Sequence, residues 1–511
     1  PTTLSEPANN SGGTISGIEV MRGVGAKPSK PFWADAWDRV LHRWGARIGI
    51  GWIAVVAFFA VFAPLLANGL PAWTVHYELL EDGSRGEVLR SWSPMWKGLT
   101  PVDVALLVGT VLGVPWMMLP VGMMGGMTRS HRLGVLVAAS IQCGLTLVIA
   151  GLIGGWLTDP DQSEGVRGFI EGLGGWEGWV IGGAVSLVIA FLFLWVPSFK
   201  SFGGRLALLV LVAVTSTAIA GDRFDPPLAN YDRFIDRGLS GEYENTWAVV
   251  PWSSSQARTS FYLLPPGTMV DAEIPASEGT AFGERRFLLG TDSVGQDVLS
   301  QMLHACRLSI SIGLVSTGIS VFIGIVIGSL MGYFGGWVDL VLSRVVEIFM
   351  AIPVLFLLIV AAAVLPRNTY MMMVIIGCVS WTLSARFIRA EFLKMRAQDF
   401  VQAARAAGLP LRSVLFKHML PNGITPVLVQ ASFAIAAAIL AEATLSFLGL
   451  GPDGQASWGK LLASATGSTG TFNWWLAIFP GFAIFLTVLA YNLLGEAFRD
   501  AIDPKLRKAA H

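Results

Sequence analysis

Ten stretches of the chain are almost continuously apolar over the length of a membrane span, with polar segments between them. They run approximately from Ile48 to Ala67, Pro101 to Met124, Leu133 to Trp156, Trp179 to Phe199, Leu206 to Ala220, Leu308 to Tyr333, Leu342 to Leu365, Tyr370 to Ile388, Ile424 to Leu448 and Trp474 to Leu494. A bilayer core requires about 20 apolar residues as helix, because lipid offers backbone amides no hydrogen-bond partner. The pattern therefore predicts an all-α polytopic membrane protein with about ten transmembrane helices.

Composition agrees: of 511 residues, 53% are hydrophobic and only 14% charged, too apolar for two soluble domains. The 35 basic and 35 acidic residues balance, which argues against nucleic acid as a partner and shifts attention to where each sign sits. The amino-terminal segment carries Arg22, Lys27, Lys30, Arg39, Arg43 and Arg47, and short connectors carry Arg129 with Arg132 and Lys200 with Arg205. Basic residues favour the cytoplasmic side. By contrast, Asp159, Asp161, Glu164 and Glu171 follow the third span, and the stretch from Gly221 to Asp297 has no lysine. Ten alternating helices starting inside place both groups correctly and put both termini in the cytoplasm. The first roughly 30 residues are polar and lack the apolar core of a signal peptide, so they read as an unstructured tail. Between Pro31 and Arg47, aromatic and basic residues alternate as in a helix lying on the inner leaflet.

Enzyme chemistry finds no support in the residues. The six histidines are scattered without ligand spacing, and Cys143, Cys306 and Cys378 sit in or beside apolar runs, as small apolar side chains do. Neither a metal site nor a cofactor is expected. A Walker-type phosphate loop is not found either, so any ATP hydrolysis is expected in separate subunits.

The loop between the eighth and ninth spans, residues 391–421, stands out. Its alanine-rich run is helix-forming, and Gly408-Leu409-Pro410 stops that helix sharply. Small side chains at Ala403, Ala404, Ala406 and Ala407 would let another protein approach the backbone closely. An amphipathic helix resting on the membrane through Arg389, Lys394, Arg396 and Arg405 explains the composition equally well.

Gln402-Ala403-Ala404, then Gly408, then Leu420-Pro421 resembles the cytoplasmic signature of ABC importer permeases, with Gln402 where the usual form has Glu. That resemblance favours docking: it implies a coupling helix seated in a cleft of an ATPase subunit. Three further stretches resemble the dipeptide, oligopeptide and nickel branch, in particular its second permease subunit. They are Gly290-Thr-Asp-Ser-Val-Gly-Gln-Asp-Val-Leu-Ser leading to Arg307, Ala441-Glu-Ala-Thr-Leu-Ser-Phe-Leu-Gly-Leu-Gly with Ser457-Trp-Gly, and the tail Asn492 to Arg507. The resemblance covers Arg285 to Arg507 and the first span.

The family usually has six spans, so the resemblance implies a division into a cytoplasmic tail and interfacial helix (1–47), a first core span (48–67), an inserted region with four spans (68–221), a periplasmic segment (222–300), a five-span permease core (301–497) and a cytoplasmic tail (498–511). The inserted helices read either as a scaffold against lipid or as a contact for another membrane partner. The Pro-, Tyr- and Trp-rich periplasmic segment reads as an ordered cap, for docking a binding protein or for passive packing. The implied function is a permease subunit in the bacterial inner membrane that works by alternating access. Its implied partners are a second permease subunit as heterodimer, two ABC ATPases and a periplasmic solute-binding protein. Peptides are the expected substrate; nickel or another small solute is the alternative within the branch, and a secondary transporter the alternative outside it. Gln430, Ser432 and Glu442 are candidate pathway-lining residues, Glu442 with a neighbouring helix as its other possible partner. Arg344 and Glu347, three apart on one helix, are expected to pair with each other because intramembrane charge is costly.

Overall fold

A computed structural model describes residues 32–80, 84–118, 129–157, 176–193, 202–222, 231–269, 286–466 and 471–502. The expected tail at 1–31, the terminus from 503, the acidic connector at 159–171 and Lys200 lie outside these residues.

Each of the ten expected spans is helical over its described residues, with 119–124 and 194–199 lying outside them. In chain order they are α2 (Trp44–Leu66), α4 (Pro101–Met118), α5 (Arg129–Leu157), α6 (Glu177–Phe193), α7 (Phe202–Asp222), α9 (Val298–Phe334), the pair α10 (Gly336–Ala351) and α11 (Val354–Val364), the pair α12 (Thr369–Ser380) and α13 (Thr382–Met395), α15 (Thr425–Phe447) and α17 (Trp474–Ile502). Six are long and apolar enough to cross a membrane singly; each bent pair makes one further broken span, and α6 and α7 are shorter apolar helices.

The seventh span differs from the continuous helix expected between Leu342 and Leu365: it bends by 83° at Ile352-Pro353. Proline's ring disfavours helical backbone in the residue before it, and Ile352 is extended at φ −92°, ψ 130°. The bend between α12 and α13 is 44°.

The other elements include α1 (Phe32–His42), β1 (Trp73–Leu79), β2 (Arg85–Trp92), α3 (Pro94–Gly98), α8 (Tyr231–Leu239), β3 (Tyr243–Thr246), β4 (Thr268–Met269), β5 (Arg286–Phe287), α14 (Asp399–Ala406) and α16 (Trp458–Ser464), with short helical turns at Thr259–Phe261, Leu411–Ser413, Val414–Met419 and Leu420–Gly423. Strands β2, β1 and β3 form an antiparallel sheet in that order, pairing Val75 with Ser91 on one side and with Glu244 on the other. The hairpin at 73–92 was not anticipated, although alternating Trp73-Thr-Val75-His-Tyr77 and the Asp82-Gly83 pair carry its sequence signal. The sheet thus ties the segment after α2 to the expected cap, whose own core is Val250, Trp252, Phe261, Leu264 and Phe287.

The helix α1 does more than lie on a surface. Its Val40 packs with Ala46, Ala497 and Ala501, Trp37 meets Phe498 edge-on at 5.0 Å, and Arg43 pairs with Asp500, so the first and last described helices lock together.

At 37 residues, α9 is about 55 Å long and is the central post of the molecule. Gly324, Gly328 and Gly332 repeat every four residues along one face, and a Cβ at any of them would overlap Ser384, Ala385 or Phe392 of α13. Small residues at this spacing let two membrane helices approach closely.

Candidate functional site: a cavity joined to a helical loop

The motifs near the sheet-bearing end have structural roles. Asp292 Oδ1 accepts from the amides of Val294 and Gln296 at 2.9 Å, and its Oδ2 accepts from Gln301 Nε2 at 2.7 Å. Asp297 caps α9 by accepting from the Ser300 amide at 2.7 Å. Burial, reinforced by the nearby Asp292, pushes the Asp297 carboxyl up to about 7, with desolvation the larger cause. Gly295, at φ +77°, lies so close to the Arg258 carbonyl that no side chain fits there. The Gly290 to Ser300 motif is therefore a knot that fastens the cap to α9.

The motif around Glu442 has a similar explanation. Glu442 is 1% exposed, and its Oε1 accepts from Ser446 Oγ at 2.6 Å and Ser457 Oγ at 2.7 Å. Ser457 also caps α16, accepting from the Gly459 amide at 3.1 Å. A buried carboxylate requires such donors. Glu442 thus joins Ala441–Gly451 to Ser457-Trp-Gly, which explains why the two stretches occur together.

A cavity of about 1100 Å³ opens between α9, α11, α12, α13 and α15. Its hydroxyl and amide lining includes Ser316, Thr317, Ser320, Ser380, Thr382 and Gln430, and its walls are otherwise mostly aliphatic or aromatic. Gln430 Oε1 accepts from Ser384 Oγ at 2.9 Å. Of the three sequence-derived pathway candidates, Gln430 lines this cavity, while Ser432 and Glu442 lie outside its lining. Ser432 instead donates to the Leu428 carbonyl at 3.3 Å within its own helix. The hydroxyls of Ser316, Thr317 and Ser320 are buried without a hydrogen-bond partner, and sequence reading did not single them out. Their spacing of one, three and four on α9 was the available signal.

At its far end the cavity reaches Glu391, Lys394, Asn422 and Arg499, next to the loop 391–421. Here α14 ends in two bonds that only a left-handed residue permits: the Leu409 amide donates to Ala404 O at 3.2 Å and the Gly408 amide to Arg405 O at 2.9 Å. Gly408 has φ +69° and open space around it. Gln402, Ala403, Gly408 and Pro421 are exposed, and Leu420 is half-buried. Ala404 is not part of that open face, because it packs inward with Val401, Val414, Leu415 and Met419. The same apolar cluster contains Ile388 and Phe392 of α13 and Val427 of α15, so the loop is fastened directly to two cavity-lining helices. Gln402 Nε2 donates to the Arg396 carbonyl at 3.0 Å, a bond a glutamate could not make. Arg405 stacks over the Tyr333 ring at 4.4 Å.

Two ion pairs lie near this end. Arg344 pairs with Glu347 as expected, and Arg389 grips Asp339 with two bonds, Nε at 2.5 Å and Nη2 at 2.8 Å, tying α13 to α10.

Residues 324–508 match the family described as the binding-protein-dependent transport system inner membrane component, and residues 31–78 match the N-terminal transmembrane domain of oligopeptide transport permease C. The chain is 38% identical over 263 residues to the di/tripeptide transport system permease protein DppC of Pseudomonas aeruginosa, covering 51% of this chain and 83% of that one. It is 36% identical to the oligopeptide transport system permease protein OppC of Haemophilus influenzae, covering 46% and 73%. It is 30% identical over 336 residues to the peptidoglycan transport system permease protein YejE of Agrobacterium fabrum, covering 63% and 86%. With a loop-coupled cavity in a multi-pass helical bundle, and relatives matched over most of their length, this chain belongs to the inner-membrane permease components of binding-protein-dependent ABC importers.

Proposed function

We propose that the chain forms one half of a peptide-conducting pathway, lined by α9, α11, α12, α13 and α15, and that a second permease subunit completes it. The observation that carries this reading is the single apolar cluster joining α14 to α13 and α15. A force applied to the loop moves cavity-lining helices without an intervening flexible joint. Peptide as substrate follows from the names of the relatives, and the cavity's mix of apolar walls with a few hydroxyls and two amides suits a peptide of varied side chains.

In this reading α14 is the coupling helix, and Gln402, Ala403 and Gly408 face an ATPase subunit, with Leu420 and Pro421 closing the loop and Ala404 seating it from beneath. Two ATPases bias the two states of the pathway, and a periplasmic binding protein delivers substrate at the sheet-bearing end. The loop end, with both termini, faces the cytoplasm, in keeping with Lys394, Arg396, Arg405, Arg412 and Lys417 clustered there. Residues 68–221 are an insertion of four helices into a six-span core, and an even number of added spans leaves the downstream orientation unchanged.

The test is copurification of the tagged chain with its ATPases, comparing the wild type with Gly408→Trp, together with uptake of a labelled peptide. Because a side chain at Gly408 meets nothing inside the protein, the substitution obstructs a partner rather than the core, apart from about 1 kcal/mol of backbone strain. Expected is a folded variant that loses both the ATPase and uptake. A folded Gly408→Trp that retains full ATPase binding and uptake would sink the coupling assignment.

A further inference from the structure

Three ionisable side chains stand inside the two broken spans without lining the pathway cavity: Arg344 and Glu347 on α10, and Arg386 on α13. Measured along their helices from Gly336 and from Met395, they lie about 12 to 17 Å from the loop end. Charge at such depth calls for water or protein beside it. On this chain all three face outward. Arg344 and Glu347 pair with each other yet keep 69% and 59% of their side-chain surfaces open, and Arg386 is exposed as well.

Arg386 is the informative member of the strip. Among the described residues its guanidinium meets no carboxylate: Nη1 donates to Met350 Sδ at 3.6 Å, and a thioether is a weak acceptor. Nor does the side chain reach for the headgroup layer at the loop end. Helical side chains lean toward the N-terminus of their helix, and α13 runs toward the loop, so Arg386 points away from that surface. Its contact, Met350, stands at the deep end of α10, beside the bend at Ile352-Pro353. Arg386 also sits at the lip of the cavity. Leu383 and Phe387 of α13 and Val354 past the bend line the cavity, whereas Arg386 and Met350 do not.

We propose that this strip is the seam along which the second permease subunit seals the pathway, and that the partner places a carboxylate against Arg386. The inference rests on reading the chain as one half of that pathway, whose lip must meet the other half. Charge selects the occupant. Two arginines and one glutamate leave a net +1, and Arg344 already holds Glu347, so a second copy of this chain would bring another +1 and no spare carboxylate. Lipid tails offer no acceptor at all. A helix of a different subunit, apolar apart from one Asp or Glu at this depth, satisfies Arg386 and keeps lipid out of the cavity.

The experiment uses cells that express the whole transporter, with a photo-cross-linking residue at Ile348, which is exposed one turn after Arg344 on the same face of α10, or at the exposed Leu187 of α6 as control. Subunits are also copurified with the tagged wild type, with Arg386→Gln and with the charge-keeping Arg386→Lys, and peptide uptake is followed in the same cells. Expected is an adduct between Ile348 and the second permease that Leu187 does not form. Arg386→Gln should recover at least about tenfold less second permease in detergent, with Arg386→Lys retaining most of it. Should Arg386→Gln fail to fold, the cross-link alone decides. Adducts with lipid only, or with a second copy of this chain, overturn the proposal, and so does an Arg386→Gln that holds the second permease as the wild type does. In those cases a wild type that still copurifies with a second permease and takes up peptide leaves the half-pathway reading standing. A wild type that takes up peptide with no second permease attached overturns both.

Discussion

The four-helix group α4–α7 and the six-span core both turn apolar side chains outward, yet different means hold them together. In α4–α7 the interior is a single apolar cluster, including Leu107, Leu147, Ile181, Val185 and Ile189, with a few hydroxyl and amide bonds between helices. The core has glycine-lined crossings, a helix broken at proline, buried carboxylates in fixed hydrogen-bond sets and a cavity with unpartnered hydroxyls. Lipid tails are as apolar as leucine, so burying leucine against leucine gives little driving force inside a membrane. Small-residue crossings and buried polar sets are more numerous in the core, although Gly182 also approaches Ala220 closely across α6 and α7.

The sharpest way to break the core side of this contrast is Gly328→Leu. A Cβ there already lies 2.5 Å from the Ala385 carbonyl and 2.9 Å from Ile388 Cβ, so a leucine must push α9 off α13. Overpacking of this kind costs about 3 kcal/mol or more, and the expected result is loss of monodisperse protein on gel filtration. In α4–α7 the exposed Gly109, with nothing within 4 Å of a Cβ, should accept leucine without that loss.

Next in size is a pH effect at Asp297. Its folded-state value near 7 lies above the ordinary 3.8, so the fold prefers the protonated carboxyl. Below about 4 both folded and unfolded chains hold this proton and the stability is full. As pH rises toward 7 the unfolded chain has already ionised while the folded one has not, and stability falls, levelling off above 7. At 1.36 kcal/mol per unit the loss is bounded at about 4 kcal/mol. An asparagine in this position would still cap α9, because its side-chain oxygen accepts from the same amide. Thermal unfolding of Asp297→Asn should therefore lack the decline that the wild type shows between pH 4 and 7; identical profiles would refute the assignment.

The junction between the two regions comes third. Asp103 at the start of α4 accepts from the Thr100 amide at 2.8 Å and pairs with Arg307 of α9, whose Nε also donates to Ala60 O at 2.9 Å. Asp103→Ala leaves Arg307 without its counter-charge, at a cost of about 2–3 kcal/mol given its partial exposure. Proteolysis or unfolding should then show α4–α7 loosening before the core. Adding Arg307→Met should recover part of the loss, because no charge is left unpaired.

Much of this contrast was legible in the sequence. The apolar helices could be read because lipid demands about 20 apolar residues for a span, and the loop ending could be read because Gly408-Leu409-Pro410 has only one ready conformation. The break at Ile352-Pro353 and the hairpin at 73–92 had signals that the apolar pattern masked. The inward turn of Ala404 and the partners of Glu442 had none, because every face of a membrane helix is apolar and periodicity does not say which neighbour it meets.

The smallest effect is expected inside α4–α7. Ser186 Oγ and Thr217 Oγ1 lie 2.8 Å apart across α6 and α7, but each also donates or can donate to a carbonyl of its own helix, Gly183 at 3.0 Å and Ala213 at 2.8 Å. Removing the serine hydroxyl therefore strands no donor, and interhelical hydroxyl bonds in membranes average only about 0.6 kcal/mol. Ser186→Ala should shift thermal unfolding by no more than that implies. Gly182→Val, one turn earlier, places a Cβ 2.8 Å from Ala220 Cβ and should cost more. If Ser186→Ala proves the more damaging of the two, hydrogen bonding rather than close packing holds α6 to α7.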